Sequence, residues 1–195
     1  MAHAMSSAIT NLSATEKSAR VVAASEIYRQ GRALADRAAS RWWEDAEFAE
    51  LLLSPKPIVT VGVAVHGETF AKIRVANGQP ALAAVPREQD AEEFELHFGE
   101  GVELDVLTSR EPAGQGAIAR FLARFGEGVQ QVEFRCLDVN RAMAIVRERF
   151  GVAPIYPEAR AGANGSKVNF VLLPVPGMGA ENAKVLIEVY ELPKR

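Results

Sequence analysis

The chain has 195 residues, of which 48% are hydrophobic and 24% charged, with a net charge of −3, which fits a globular chain of one domain plus an extension. It has no apolar run near the ~18 residues of a transmembrane helix and no basic excess to hold nucleic acid or an anionic membrane. One cysteine, Cys136, excludes an intrachain disulfide framework and a CxxC-type zinc site, and the start lacks the order of a secretory signal, so a cytoplasmic protein is expected.

The first fifty residues read as helix. Ser13-Ala-Thr-Glu16 fits a capping box. Ala23, Ile27, Gly31, Leu34, Ala38 and Trp42 then recur at helical spacing. Ser54-Pro-Lys-Pro57 ends the region, because a residue before proline is pushed out of the α region. The expected organisation is an N-terminal helical extension over 1–55 and a domain over 56–195. The pair Trp42-Trp43 and the run Phe48 to Leu53 give the extension apolar mass to pack on that domain.

After Pro57 the pattern changes. Ile58 to Val65 is a β-branched run and reads as a strand, followed by a helix over His66 to Val75 and a turn at Gly78-Gln-Pro80. Phe94 to Phe98 and Val102 to Leu107 read as strands. A short helix over Ala117 to Arg124 closes at Phe125-Gly-Glu-Gly128. The order then repeats. Val129 to Cys136 is a strand, and Asp138 caps a helix that Gly151 ends near Phe150. Strands follow at Val168 to Leu173 and Val185 to Tyr190. Two modules, about 58–107 and 130–191, therefore each read as βαβββ. The fold class is α+β, with curved sheets that form a cleft, the default ligand site.

The stretch Ala117-Ile-Ala-Arg-Phe-Leu122 with Gly126-Glu-Gly-Val-Gln-Gln-Val-Glu-Phe134 resembles the vicinal oxygen chelate superfamily, and within it the methylmalonyl-CoA epimerases. Arg160-Ala-Gly-Ala-Asn-Gly-Ser-Lys-Val-Asn-Phe170 and Val185-Leu-Ile-Glu-Val-Tyr-Glu191 carry the same resemblance. It covers about 115–191 well, 58–107 weakly and 1–55 not at all. It implies a divalent metal held by two histidines, a carboxylate or glutamine, and a glutamate, with glutamate bases moving a proton. It also implies a homodimer. Carried over by position, the first histidine falls on Thr60 and the second on Gln131. The mid-chain ligand falls on Glu103, or on Asp105 if the register slips by two, and the closing glutamate is Glu188. A base glutamate falls near Ala83-Ala-Val-Pro86, where both candidate positions are alanine. Hydroxyl, amide and carboxylate oxygens replace the imidazoles that transition metals favour. No metal cofactor is therefore expected, and such a set holds at most a weakly bound divalent cation.

Alternation along the strands adds an inference of its own. If Gln131 points into the cleft, so do Glu133 and Arg135, while Val132, Phe134 and Cys136 point to the helix side. On the last strand Leu186, Glu188 and Tyr190 share a face. Thr60 and His66 lie toward the cleft on the first strand, and Asn169 is expected to face in. Glu188, Glu133, Arg135 and Glu103 are the expected catalytic residues. Thr60, His66, Asp105, Gln131, Asn169 and Tyr190 are expected to bind substrate. Arg135 is suited to clamp a carboxylate or stabilise an oxyanion. Crowded carboxylates are suited to general acid–base work.

The expected function is acid–base chemistry (isomerisation, epimerisation, cyclisation or a lyase step) on a small oxygenated or acyl substrate, by an isomerase or lyase of the vicinal oxygen chelate type. The alternative is a non-catalytic protein of the same fold that sequesters a small molecule. A third possibility gives the working role to the N-terminal helix.

Overall fold

The β-branched run after Pro57 forms strand β1, Val59–Ala64, and every one of its residues is buried. From Thr60 on it belongs to the first of two units in the computed structural model, which describes residues 2–53, 57–99, 101–177 and 184–193. The first unit comprises the chain up to Gly31 with Thr60–Gln130. The second comprises Arg32–Val59 with the chain from Gln131 on.

In the first unit, helix α1 covers Ala2–Asn11 and α2 starts at Lys17 and runs to Ala38, its residues beyond Gly31 belonging to the second unit. Helix α4 (Gly67–Ala76) follows β1. Strands β2 (Ala91–Phe98) and β3 (Val102–Ser109) come next, then helix α5 (Ala117–Phe125). Strand β3 pairs in parallel with β1 and antiparallel with β2. Ile9, Ala24 and Ile27 of the two N-terminal helices and Leu12 of the turn between them are fully buried with Val61, Val63, Phe94, Leu104 and Val106. Helix α2 lies close on the strand at Gly31, where a Cβ would stand 2.5 Å from Val61 Cγ1, so only glycine fits without movement.

The helical stripe is buried as expected at Ala23, Ile27 and Gly31 and then drifts by one position, so that Ala35 and Ala39 are buried while Leu34 and Ala38 are half-exposed. The expected capping box does not form. Ser13 Oγ donates to Thr10 O, because the serine sits in the turn that closes α1 and α2 starts only at Lys17.

In the second unit, a 3₁₀ turn over Ser40–Glu44 and helix α3 (Ala46–Leu51) precede strand β4 (Gly128–Arg135), which belongs to it from Gln131 on, and helix α6 (Val139–Phe150). Strands β5 (Arg160–Ala161), β6 (Lys167–Pro174) and β7 (Lys184–Glu191) complete it. The strand order is β4-β7-β6-β5, with β7 parallel to β4 and antiparallel to β6. Asp138 caps α6 by accepting from Arg141 N, and Gly151 ends it at φ 68°. Trp42 is buried against Phe48, Phe150 and Phe134, with ring centroids 5.0, 6.1 and 6.5 Å away. Asp45 both caps α3 at Phe48 N and pairs with Arg149 at 2.6 Å, and Glu47 pairs with Arg141 and Arg149 of α6.

The two modules thus share one topology: strand, helix, then an antiparallel pair whose last strand returns parallel to the first. The fold class is α+β, as expected. In the first module the position of the outermost strand is taken by the segment at Ala83, whose N–H donates to Glu93 O at 3.0 Å. In the second it is the two-residue β5. Residues 54–56, Glu100 and 178–183 lie outside the described residues, and with them most of the Ser54–Pro57 boundary and part of the loop before β7. No helix among the described residues is long and apolar enough to cross a membrane.

Candidate active site

Strands β4 and β7 place polar side chains at alternate positions of one face. Their register pairs Gln131 with Leu186, Glu133 with Glu188 and Arg135 with Tyr190. The intervening Val132, Phe134, Ile187 and Val189 are buried on the other face, toward α6. The alternation expected on both strands is present.

Gln131 is the centre of this group. Its Nε2 donates to Glu133 Oε1 at 3.0 Å and to Glu188 Oε2 at 2.7 Å. Gln131 and Glu133 are buried and Glu188 is half-buried. One neutral amide thus holds two carboxylates on neighbouring strands, ~4.8 Å apart at the backbone. Burying two acidic groups together is costly unless they are hydrogen-bonded, and the amide provides that bond to both. Arg135 lies one alternation further along β4. Its backbone N–H donates to Ile58 O at 3.1 Å. Among the described residues, none hydrogen-bonds or ion-pairs with its half-buried guanidinium.

Asn169 requires a correction. It pairs with Val189 across β6 and β7, so it lies on the apolar face opposite Glu188. It is 1% exposed, and its side chain is committed to the segment before β5: Oδ1 accepts from Tyr156 N at 3.2 Å and Nδ2 donates to Tyr156 O at 3.0 Å. It mimics a strand backbone for Tyr156 and is not a cleft residue. The same register puts Val168, Phe170 and Leu172 of β6 on the face of Glu188.

The first unit has a polar face of its own. Thr60 Oγ1 donates to Glu103 Oε2 at a long 3.4 Å. Glu103 and Asp105 are two residues apart on β3 and share one face, so the choice between them does not arise. His97 and Glu95 of β2 are their cross-strand partners, and His97 Nδ1 lies 4.0 Å from Glu103 Oε1. Thr60 and Asp105 are buried. His66 is the N-cap residue of α4, exposed, with its backbone N–H on Glu127 Oε1 at 2.9 Å.

Glu93 is not among the expected site residues. It lies on the same face as Glu95 and His97, and its half-buried carboxyl is pushed up to about 7 by burial, with repulsion from Glu95 adding to it and Arg110 opposing it. A signal for it exists in the sequence: alternation back from His97 through Glu95 reaches Glu93, but the strand is expected there to start only at Phe94.

The donors at the positions where a metal is implied are a hydroxyl, an amide and carboxylates. The Gln131 N–H₂ group is turned to the carboxyl groups of Glu133 and Glu188. No group of three or more His, Cys, Asp or Glu among the described residues is placed to hold a metal ion.

No family model and no curated protein matches the chain. Solved structures do. The methylmalonyl-CoA epimerase of Mycobacterium tuberculosis is 26% identical, with 69% of this chain and 87% of that chain covered and a TM-score of 0.54. In fold the chain is similar to methylmalonyl-CoA epimerases. A single-residue variant of the Streptomyces coelicolor enzyme, in complex with 2-nitronate-propionyl-CoA, is 25% identical over 69% of this chain and 96% of that chain, with a TM-score of 0.52. A hypothetical protein from Bacillus halodurans shares the fold at 23% identity, with 70% and 94% covered and a TM-score of 0.53. Both named enzymes have the vicinal oxygen chelate fold, to which the repeated strand–helix–strand modules of this chain conform.

Proposed function

We propose that the chain is an isomerase- or epimerase-like enzyme that exchanges a proton at a carbon next to a carbonyl group of a small oxygenated or acyl substrate. The observation that carries this is the pair Glu133 and Glu188, held side by side by the Gln131 amide. The fold similarity to epimerases supports it. A general base must come within hydrogen-bond reach of the proton it removes. Glu188 is the more exposed of the two and is the proposed base. Glu133, buried behind the same amide, is the proposed positioning partner. The guanidinium of Arg135 is the proposed clamp for an anionic group of the substrate, such as a carboxylate.

The reaction is proposed to need no resident transition metal. Thr60, Glu103, Gln131 and Glu188 offer no imidazole, and an oxygen-only set holds even a hard divalent cation weakly. Each step is therefore assigned to side chains.

The test is deuterium incorporation from D₂O into a panel of short keto acids, ketones and acyl thioesters, followed by NMR. Exchange of substrate in large excess over protein supports the enzyme. Stoichiometric retention of a ligand without exchange supports a sequestering protein instead.

A further inference from the structure

The register of the second unit sorts the sheet face that carries Glu133 and Glu188 into three rows. The first contains Arg160 of β5, Val168 of β6, Tyr190 of β7 and Arg135 of β4. The second contains Phe170, Glu188 and Glu133. The third contains Leu172, Leu186 and Gln131. A row of arginine and tyrosine thus flanks the carboxylates on one side, and a row of leucines flanks them on the other. Neighbouring rows are ~6.7 Å apart along the strands, so the outer rows are about 13 Å apart at the backbone.

Two observations show that this face is incomplete as it stands. Among the described residues, none hydrogen-bonds or ion-pairs with the Arg135 guanidinium, although a half-buried arginine ordinarily finds a planar anionic partner. At the other end Leu172 is 48% exposed, and Leu186 and Phe170 are half-exposed, beside charged neighbours on the same face. Tyr156 meets the Phe170 ring edge-on at 6.1 Å, and the Arg160 guanidinium lies 3.8 Å over the Tyr156 ring, so an aromatic ring edges the first and second rows at their β6 end.

We propose that this face takes a small carboxylic acid whose far end is an apolar, aryl-sized group and whose middle contains a ketone-activated C–H. Charge fixes its direction. The two glutamates repel the ligand's carboxylate from the middle row, and Arg135 receives it in the first. The apolar end then falls on Leu186 and Leu172, and the activated carbon falls over Glu188. This inference rests on the proposed proton-exchange function. The step is balanced within the pair: Glu188 takes the proton, the C–H electron pair forms the carbon–carbon double bond of an enolate, and the carbonyl π pair moves to oxygen. Return of a proton to carbon restores the ketone, and nothing is oxidised or reduced.

The experiment uses the full chain and three matched probes. These are β-benzoylpropionate, which has both ends, levulinate, which lacks the aryl group, and butyrophenone, which lacks the carboxylate. Dissociation constants are measured by calorimetry or NMR titration. β-Benzoylpropionate is expected to bind at least tenfold tighter than either control. Arg135→Gln is expected to remove that advantage over butyrophenone while leaving butyrophenone affinity within twofold. Leu172→Ser, at an exposed position that does not threaten folding, is expected to weaken β-benzoylpropionate severalfold and leave levulinate unchanged. Equal affinity for the three probes, no binding of β-benzoylpropionate, or equal losses for all probes in Arg135→Gln would overturn the proposal. Deuterium exchange on the same samples separates the two claims. Selective binding without exchange sustains the ligand class and removes the proton-exchange function. Exchange of levulinate with no aryl preference does the reverse.

Discussion

Replacing Glu93 by glutamine tests whether the acidic face of the first unit is strained by its own charge. Glu93 is half-buried on β2 beside Glu95, and burial first, then Glu95, pushes its carboxyl from the ordinary 4.5 up to about 7. The folded protein therefore holds a proton that the unfolded chain releases between those two pH values. The stability linked to it is fully present below pH 4.5 and is lost as pH rises through 7. At 1.36 kcal/mol per pH unit the ceiling is about 3 kcal/mol, and screening by water at this half-buried position reduces it to about 1–2 kcal/mol. Glu93→Gln carries no charge at any pH. It is expected to be more stable than the parent by that amount at pH 8 and equal to it near pH 4. Urea denaturation across pH 4–8.5 reads this directly. A stability difference that does not change with pH would refute the reasoning, as would a variant less stable than the parent at pH 8.

Three further predictions concern the frame around the sites. Trp42→Ala removes the ring packed against Phe48, Phe134 and Phe150 and is expected to cost about 3–5 kcal/mol in urea unfolding; a loss under 1 kcal/mol would mean that the ring contributes little to holding the extension. Gly31→Ala sets a methyl 2.5 Å from Val61 Cγ1 and is expected to cost about 1–3 kcal/mol, with the Gly31→Ala/Val61→Ala pair losing less than the two changes separately; strict additivity would refute the contact. Cys136 is buried and its thiol is pushed up to about 12, chiefly by that burial; it is expected to resist a thiol reagent at pH 8 and to react fully in urea, and rapid labelling of the folded protein would contradict this.

Period-two alternation made the central site legible. From Gln131 to Arg135 on β4 and from Ile187 to Tyr190 on β7 polar and apolar residues alternate, which assigns Gln131, Glu133 and Arg135 to one face and Glu188 and Tyr190 to one face. On β6 the same method failed. In Lys167-Val-Asn-Phe-Val-Leu-Leu-Pro174 apolar residues occupy both parities, and only the pairing of Asn169 with Val189 fixes which side it faces. Fold class and repeat were readable from element order. The outer strands were not, since the segment at Ala83 that bonds to Glu93 and the two-residue β5 leave no periodic trace. The capping box at Ser13 failed because a second helix precedes it, and its turn takes the serine hydroxyl. Phe170 and Leu172 do not stand out in the sequence as site residues, because an apolar residue in a strand signals core unless register shows otherwise.

The most direct measurement is the rate of deuterium incorporation from D₂O into a short keto acid by the parent chain and by Glu188→Gln, each shown to be folded by circular dichroism. The proposed function predicts many exchanges per molecule of parent protein and a rate about 10²–10⁴-fold lower in Glu188→Gln, the usual contribution of a general base. Equal rates in the two proteins would contradict it.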